Sequence, residues 1–197
     1  MDDKEKDTIK MINIVGKTNY KLIQGSHKKD IMRVCTETKK WIHNITENEL
    51  VYEKQWEYLL ALVHLCNQTE TETETIEEFS DTLKIMKSHI ERKIYGYKIQ
   101  DIEKKMYDSS MFIHYTFIIQ KLMDCQLNCF YCKRKMSILY KKVRDASQWT
   151  VDRINNEKGH NINNIELSCL ACNLKKRKRN SDHFLFTQQL VIIKNEQ

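Results

Sequence analysis

Proline is absent from the 197 residues and glycine occurs only four times. With so few breakers the chain can sustain long helices, and a sandwich of many short strands joined by tight turns is a poor fit. No apolar run approaches the ~20 residues of a membrane span, and mean hydropathy is −0.64. The opening Met1-Asp2-Asp3-Lys4-Glu5-Lys6-Asp7 lacks the basic-then-apolar order of a secretory signal. An intracellular chain, cytoplasmic or nuclear and with no membrane partner, is therefore expected. The seven cysteines are an odd number. Without an export signal they point to thiols kept reduced, metal-bound or buried, and away from a disulfide framework.

What is present suits a folded chain: 41% apolar and 30% charged residues. The length fits one domain of common size or two small ones. The net charge of +6 is unevenly spread. Residues 1–120 hold 18 basic and 20 acidic side chains, whereas residues 121–197 hold 15 and 7. A basic segment of that size suits a polyanionic partner, most often nucleic acid.

The first half reads as helical. Thr46-Glu47-Asn48-Glu49 fits a capping box, and Leu50, Trp56, Leu59, Leu60 and Val63 follow at helical spacing. Thr75-Ile76-Glu77-Glu78 opens a second helix with Phe79, Leu83, Met86 and Ile90 on one face. Residues 27–43, 98–107 and 111–123 look like further helices. The Thr-Glu repeat over 69–74 has no apolar face and reads as a solvated loop. His64, His89 and His114 have no metal-type residue three or four positions away, so they read as ordinary packing or surface residues.

From about residue 124 the texture changes. Helical periodicity stops and cysteines cluster, which puts a boundary near residue 115 and divides the chain into 1–115 and 116–197. Cys129-Phe130-Tyr131-Cys132 and Cys169-Leu170-Ala171-Cys172 form two C-x2-C pairs. Each pair can set two thiolates on one turn, and two such turns make the closed tetrahedral site that Zn2+ prefers. Cys125 is a competing ligand on composition; the symmetry of the two pairs favours Cys129. Between the pairs, Trp149 to Ile154 suits a strand, Asn155 to Asn164 a loop, Ile165 to Ser168 a second strand, and Leu170 onward a helix.

Those residues carry a resemblance. The two C-x2-C pairs, Asp152-Arg153-Ile154-Asn155-Asn156, Gly159-His160, and Asn164 ahead of the second pair with Asn173 directly after it, resemble the HNH (ββα-metal) endonucleases. They are similar to HNH-like proteins of phages and large DNA viruses. The likeness covers about residues 125–190. It implies a metal-dependent DNA endonuclease with a structural zinc at Cys129, Cys132, Cys169 and Cys172. It also implies Mg2+ or Mn2+ on Asp152 and Asn173, with Asn164 bracing the loop and duplex or branched DNA as partner. Hard oxygen donors of this kind suit those ions, and a divalent ion polarises the phosphate.

One position departs from the family. A histidine normally follows the aspartate as general base, and here Arg153 stands there. Arginine stays protonated, so it cannot take that proton, but it could clamp a phosphate. His160 is the remaining histidine of the motif and the candidate base, although a plain surface loop would also explain it. The alternative for Asp152, which the motif context disfavours, is a strand-end ion pair with Arg153 or Lys158. Lys175-Lys176-Arg177-Lys178-Arg179 would spread around a helix and meet phosphates; a solvated helix end or a targeting signal has the same composition.

The expected architecture is thus mainly α, with an N-terminal helical domain that could bind a protein partner and a small α+β zinc module. The leading function is DNA cleavage. The alternative is an inactive zinc-stabilised module that binds nucleic acid or serves viral structure and assembly.

Overall fold

The computed structural model describes residues 11–13, 45–67 and 81–193. The helix expected over 27–43, the loop over 69–74 and the capping box at Thr75 lie outside the described residues.

Thr46 and Glu49 do form a capping box: the Glu49 carboxylate accepts from the Thr46 N–H at 2.6 Å. The turn they open is a short 3-10 helix, Glu47–Leu50, and Val51 then takes an extended conformation. Helix α1 (Tyr52–Asn67) starts only after it. Helix α2 (Asp81–Glu103) is one rod of 23 residues. The separate helix expected over 98–107 is therefore its C-terminal third. No proline interrupts it, and Gly96 sits in open space. Lys105 takes the left-handed position that ends it (φ 56°), with the Met106 N–H returning to the Asp101 carbonyl at 2.8 Å. Helix α3 (Tyr115–Asp124) begins four residues later than expected. Ahead of it the Asp108 carboxylate accepts from the Ser110 N–H and hydroxyl, which favours a turn over a helix.

The second half follows the expected order. Strands β2 (Trp149–Arg153) and β3 (Ile165–Cys169) pair antiparallel, with Asp152 opposite Glu166. Helix α4 (Leu170–Lys176) leaves directly from β3, and α5 (Ser181–Gln189) follows. Val191 and Ile192 lie in strand β4 (Val191–Ile193), which pairs in parallel with β1 (Met11–Asn13). Three β-branched residues in a row favour that state.

The buried apolar side chains on both sides of residue 115 belong to one cluster. Leu59 and Leu62 of α1, Met86 and Ile90 of α2 and Ile118 and Leu122 of α3 meet Leu127, Ile138, Trp149, Val151 and Phe184 there. No helix among the described residues is long and apolar enough to cross a membrane.

Gln55 ties α1 to the loop before β2. Its Oε1 accepts from the N–H groups of Ile138 and Leu139 at 2.7 and 2.8 Å, and its Nε2 donates to the Leu50 carbonyl. Gln55→Ala should leave two buried donors unpaired and cost about 2–4 kcal/mol in urea unfolding. An unchanged midpoint would mean that these donors find water.

Candidate metal centre and adjoining cleft

The first C-x2-C turn closes through two backbone bonds, Lys133 N–H to Cys129 carbonyl and Cys129 N–H to Arg134 carbonyl, both 2.9 Å. Lys133 takes φ 58° to make the turn. Phe130 donates to the Leu167 carbonyl at 2.9 Å, which docks the turn on β3. Cys169 ends β3 and Cys172 lies in the first turn of α4. The four sulfurs all lie within 4.8 Å of one another and could hold a metal ion. The Cys169 N–H points at the Cys129 sulfur at 3.3 Å.

Thiol hydrogen bonds from Cys169 and Cys172 hold Cys129 well below the usual thiol range, and the same bonding pushes Cys169 up to about 12. Four thiolates this close repel one another, so a full set needs a cation among them. The Arg134 guanidinium hydrogen-bonds Cys132 and is held above its ordinary value by it. Cys125 stands apart: its thiol donates to the Leu122 carbonyl and it is no member of the cluster.

Next to this centre lies a cleft of about 560 Å³. It gathers Asp152, Arg153, His160 and Asn173, with Arg177 and Lys178 on its rim. Asn164 sits behind it. Its Oδ1 accepts from the Asn155 N–H, and its Nδ2 donates to the carbonyls of Asn155 and Gly159. That fixes the 155–164 loop.

His160 is buried and bonded to a residue the sequence did not single out. Its Nδ1 lies 2.8 Å from Asp101 Oδ1, and its backbone N–H donates to Asp101 Oδ2 at 2.5 Å. The ring lies 4.6 Å from that of Tyr97. The carboxylate selects the tautomer with the proton on Nδ1 and leaves Nε2 as the free lone pair. Among the described residues no hydrogen bond falls on Nε2 and it is not a buried unpaired atom, while His160 lines the cleft. It therefore opens on the cleft. Burial pulls the His160 pKa below its usual value, against the attraction of Asp101. Gly159 makes the approach possible, since a Cβ there would stand 2.4 Å from the Met106 carbonyl oxygen and 2.8 Å from Asp101 Oδ2. Glycine before histidine was the only trace of this arrangement in the sequence.

Asp152 is buried, and both of its bonds fall on Oδ2: the Tyr131 hydroxyl at 2.5 Å and the Lys176 ammonium at 3.0 Å. Neither Arg153 nor Lys158 is its ion-pair partner. The Asn173 Nδ2 donates to Thr150 Oγ1 at 3.1 Å and more weakly to the Val151 carbonyl, so its amide oxygen is left over. The Arg153 guanidinium donates to the carbonyls of Asn156 and Lys158, both at 3.3 Å, which is a brace on the loop.

The basic run does not spread around one helix. Helix α4 ends at Lys176 and Arg177 turns the chain with φ 54°. Lys176 points inward and is fully buried, so it is no surface contact for nucleic acid; its charge is spent on Asp152. Arg179 donates to the Lys175 carbonyl and lies over the Phe184 ring. Arg177 and Lys178 are the members that reach the cleft.

No protein-family model, curated protein or solved structure matches this chain.

Elemental analysis of purified protein should find about one equivalent of a thiophilic metal, the closed four-sulfur stoichiometry. Cys129→Ser should release it and unfold the β2–β3–α4 segment. Full metal retention in that variant would mean that the four sulfurs are not the site.

Proposed function

We propose that this chain is a zinc-stapled, metal-dependent endonuclease of the HNH type that hydrolyses phosphodiester bonds in DNA. The observation that carries the reading is the cleft itself. It brings an imidazole with a free, oriented Nε2 together with Asp152 and Asn173 beneath a basic rim. Four thiolates suit zinc and leave it no open position, so this ion is structural.

Asp152 Oδ1 and the Asn173 amide oxygen are hard donors on one cleft, and they fit Mg2+ or Mn2+. Such an ion, when bound, supplies positive charge to the phosphate and the leaving oxygen. His160 takes the proton of the attacking water at Nε2. Asp101 is a positioning residue that keeps Nδ1 protonated and the ring in place. Arg177 and Lys178 meet backbone phosphates on either side of the scissile bond. Arg153, expected as a phosphate clamp, serves the loop.

A second reading has one observation in its favour. With Lys176 on Asp152 and arginine in place of the usual base, the same fold would serve as a zinc module that binds nucleic acid without cutting it.

A nicking assay with Mg2+ or Mn2+ on duplex and branched DNA separates the two. Asp152→Ala should abolish cleavage. His160→Ala should cost roughly 10²–10⁴-fold, the usual share of a general base, and Asp101→Asn roughly 10–100-fold. The base works unprotonated and burial lowers its pKa. The wild-type rate should therefore rise with pH, level off from a midpoint below the usual histidine value of about 6.5, and lose that plateau in His160→Ala. Cleavage that survives Asp152→Ala would sink this mechanism, and no cleavage by wild type would leave the binding module.

In a DNA-binding titration against salt, Arg177→Ala with Lys178→Ala should flatten the slope by up to about one contact per side chain. An unchanged slope would place the binding face elsewhere.

A further inference from the structure

We propose that Lys176 is a built-in competitor of the divalent cation, so that the cleft takes its metal with the phosphodiester and not before it. This rests on the reading of Asp152 and Asn173 as metal-holding residues given above.

Lys176 closes α4 and is fully buried. Its Nζ donates to the Arg153 carbonyl at 2.7 Å and pairs with Asp152 Oδ2 at 3.0 Å. An ammonium in such a place persists only because it is paired and hydrogen-bonded on both sides. The Tyr131 hydroxyl donates to the same oxygen. Asp152 Oδ2 is therefore saturated. Asp152 Oδ1 has no partner among the described residues and opens on the cleft, yet the carboxylate behind it is already neutralised.

The remaining charges deepen the effect. Lys104, Arg153, Arg177 and Lys178 line the same cleft. The other carboxylate nearby, Asp101, is bonded to His160 on two sides. A divalent cation alone thus meets one amide oxygen, one neutralised carboxylate and a surplus of positive charge. A phosphodiester meets the reverse. Once it is seated, its oxygen supplies both the missing negative charge and a further hard ligand. Mg2+ and Mn2+ are commonly held in this way, through few carboxylates plus the substrate's own phosphate.

The test measures Mn2+ bound to the full chain by loss of the free-ion EPR signal, with no cleavage required. Mn2+ does not compete for four thiolates, which prefer zinc. Wild type should bind Mn2+ weakly alone, and at least about tenfold more tightly beside a short DNA duplex, judged against the same duplex with Asp152→Asn; a tenfold change corresponds to 1.4 kcal/mol. Lys176→Met keeps the side chain's length and removes the charge. It should bind Mn2+ without DNA at least about tenfold more tightly than wild type, and adding Asp152→Asn should cancel the gain. Equal Mn2+ affinity in wild type with and without the duplex would overturn the proposal, and so would a folded Lys176→Met with no gain. Should Lys176→Met not fold, the wild-type comparison with and without duplex still decides. A Mn2+ gain in Lys176→Met with no DNA cleavage by any form would uphold the competitor and remove the nuclease reading. Cleavage by a wild type that binds Mn2+ equally with and without DNA would do the opposite.

Discussion

The second half of the chain brings four sulfurs within 4.8 Å of one another, a set that could hold a metal ion. Between α3 and β2 there is no regular helix or strand; only isolated bridges, Asn128 with Lys135 and Ser137 with Gln148, pair the backbone there. Its buried residues, Leu127, Tyr131, Met136 and Ile138 among them, are anchored at a few points. Among these are the sulfur cluster, the Phe130 bond to Leu167, the Gln55 amide and the Met136 N–H on the Leu127 carbonyl. Because Cys169 ends β3 and Cys172 opens α4, joining the sulfurs sets both where the strand stops and where the helix points. Asn173 then follows by one residue, and Lys176 by one further turn, facing Asp152 on the paired strand. Tyr131 lies inside the first cysteine turn and its hydroxyl reaches Asp152. The first cysteine turn and the cleft are therefore in direct contact through Tyr131 and Asp152.

The other wall of the cleft is a single helical face. Tyr97, Gln100 and Lys104 line it at the three- and four-residue spacing that aligns side chains along α2 and its C-terminal turn, and Asp101 on the same helix holds His160. The Tyr97 hydroxyl accepts from the Val151 N–H at 3.0 Å, which fixes this wall to β2, while Asp101 fixes it to the loop. That alignment requires α2 to run unbroken through Gly96. A break near residue 98, as the sequence pattern invited, would have rotated Tyr97 and Asp101 out of register. The absence of proline is what the cleft wall inherits from the composition.

The hairpin, α4 and the four-sulfur cluster were legible because each rests on local information: alternation, a turn-rich loop and a short repeated spacing. The Asp101–His160 pair was not, since 59 residues separate its members and a lone aspartate on an amphipathic helix looks like a solvated charge. Lys176 was misread for a related reason. Five like charges in a row read as a solvent-facing surface, and nothing local tells that the helix ends at the second of them and buries it. The pairing of β4 with β1 was not legible either, because its partners lie almost the whole chain apart in sequence.

Arg153 and His160 are best understood together. In the proposed mechanism the base no longer sits on the strand, so the loop that now carries it has to be rigid. The Arg153 guanidinium donates to two carbonyls of that loop, Asn156 and Lys158. Asn164 closes the same loop from the other end, and Asp101 holds His160 by ring and backbone alike. A surface loop without a task has no use for a buried carboxylate beneath it, because burying that charge is costly unless every bond is made. Burial, with the nearby Arg153 and Lys104 charges, lowers the imidazole pKa, and Asp101 pulls the other way. A neutral ring with one nitrogen tethered and the other open is the form a general base requires. In the proposed mechanism Arg153 thus has two tasks: it braces the loop that carries His160, and its charge works against protonation of the ring.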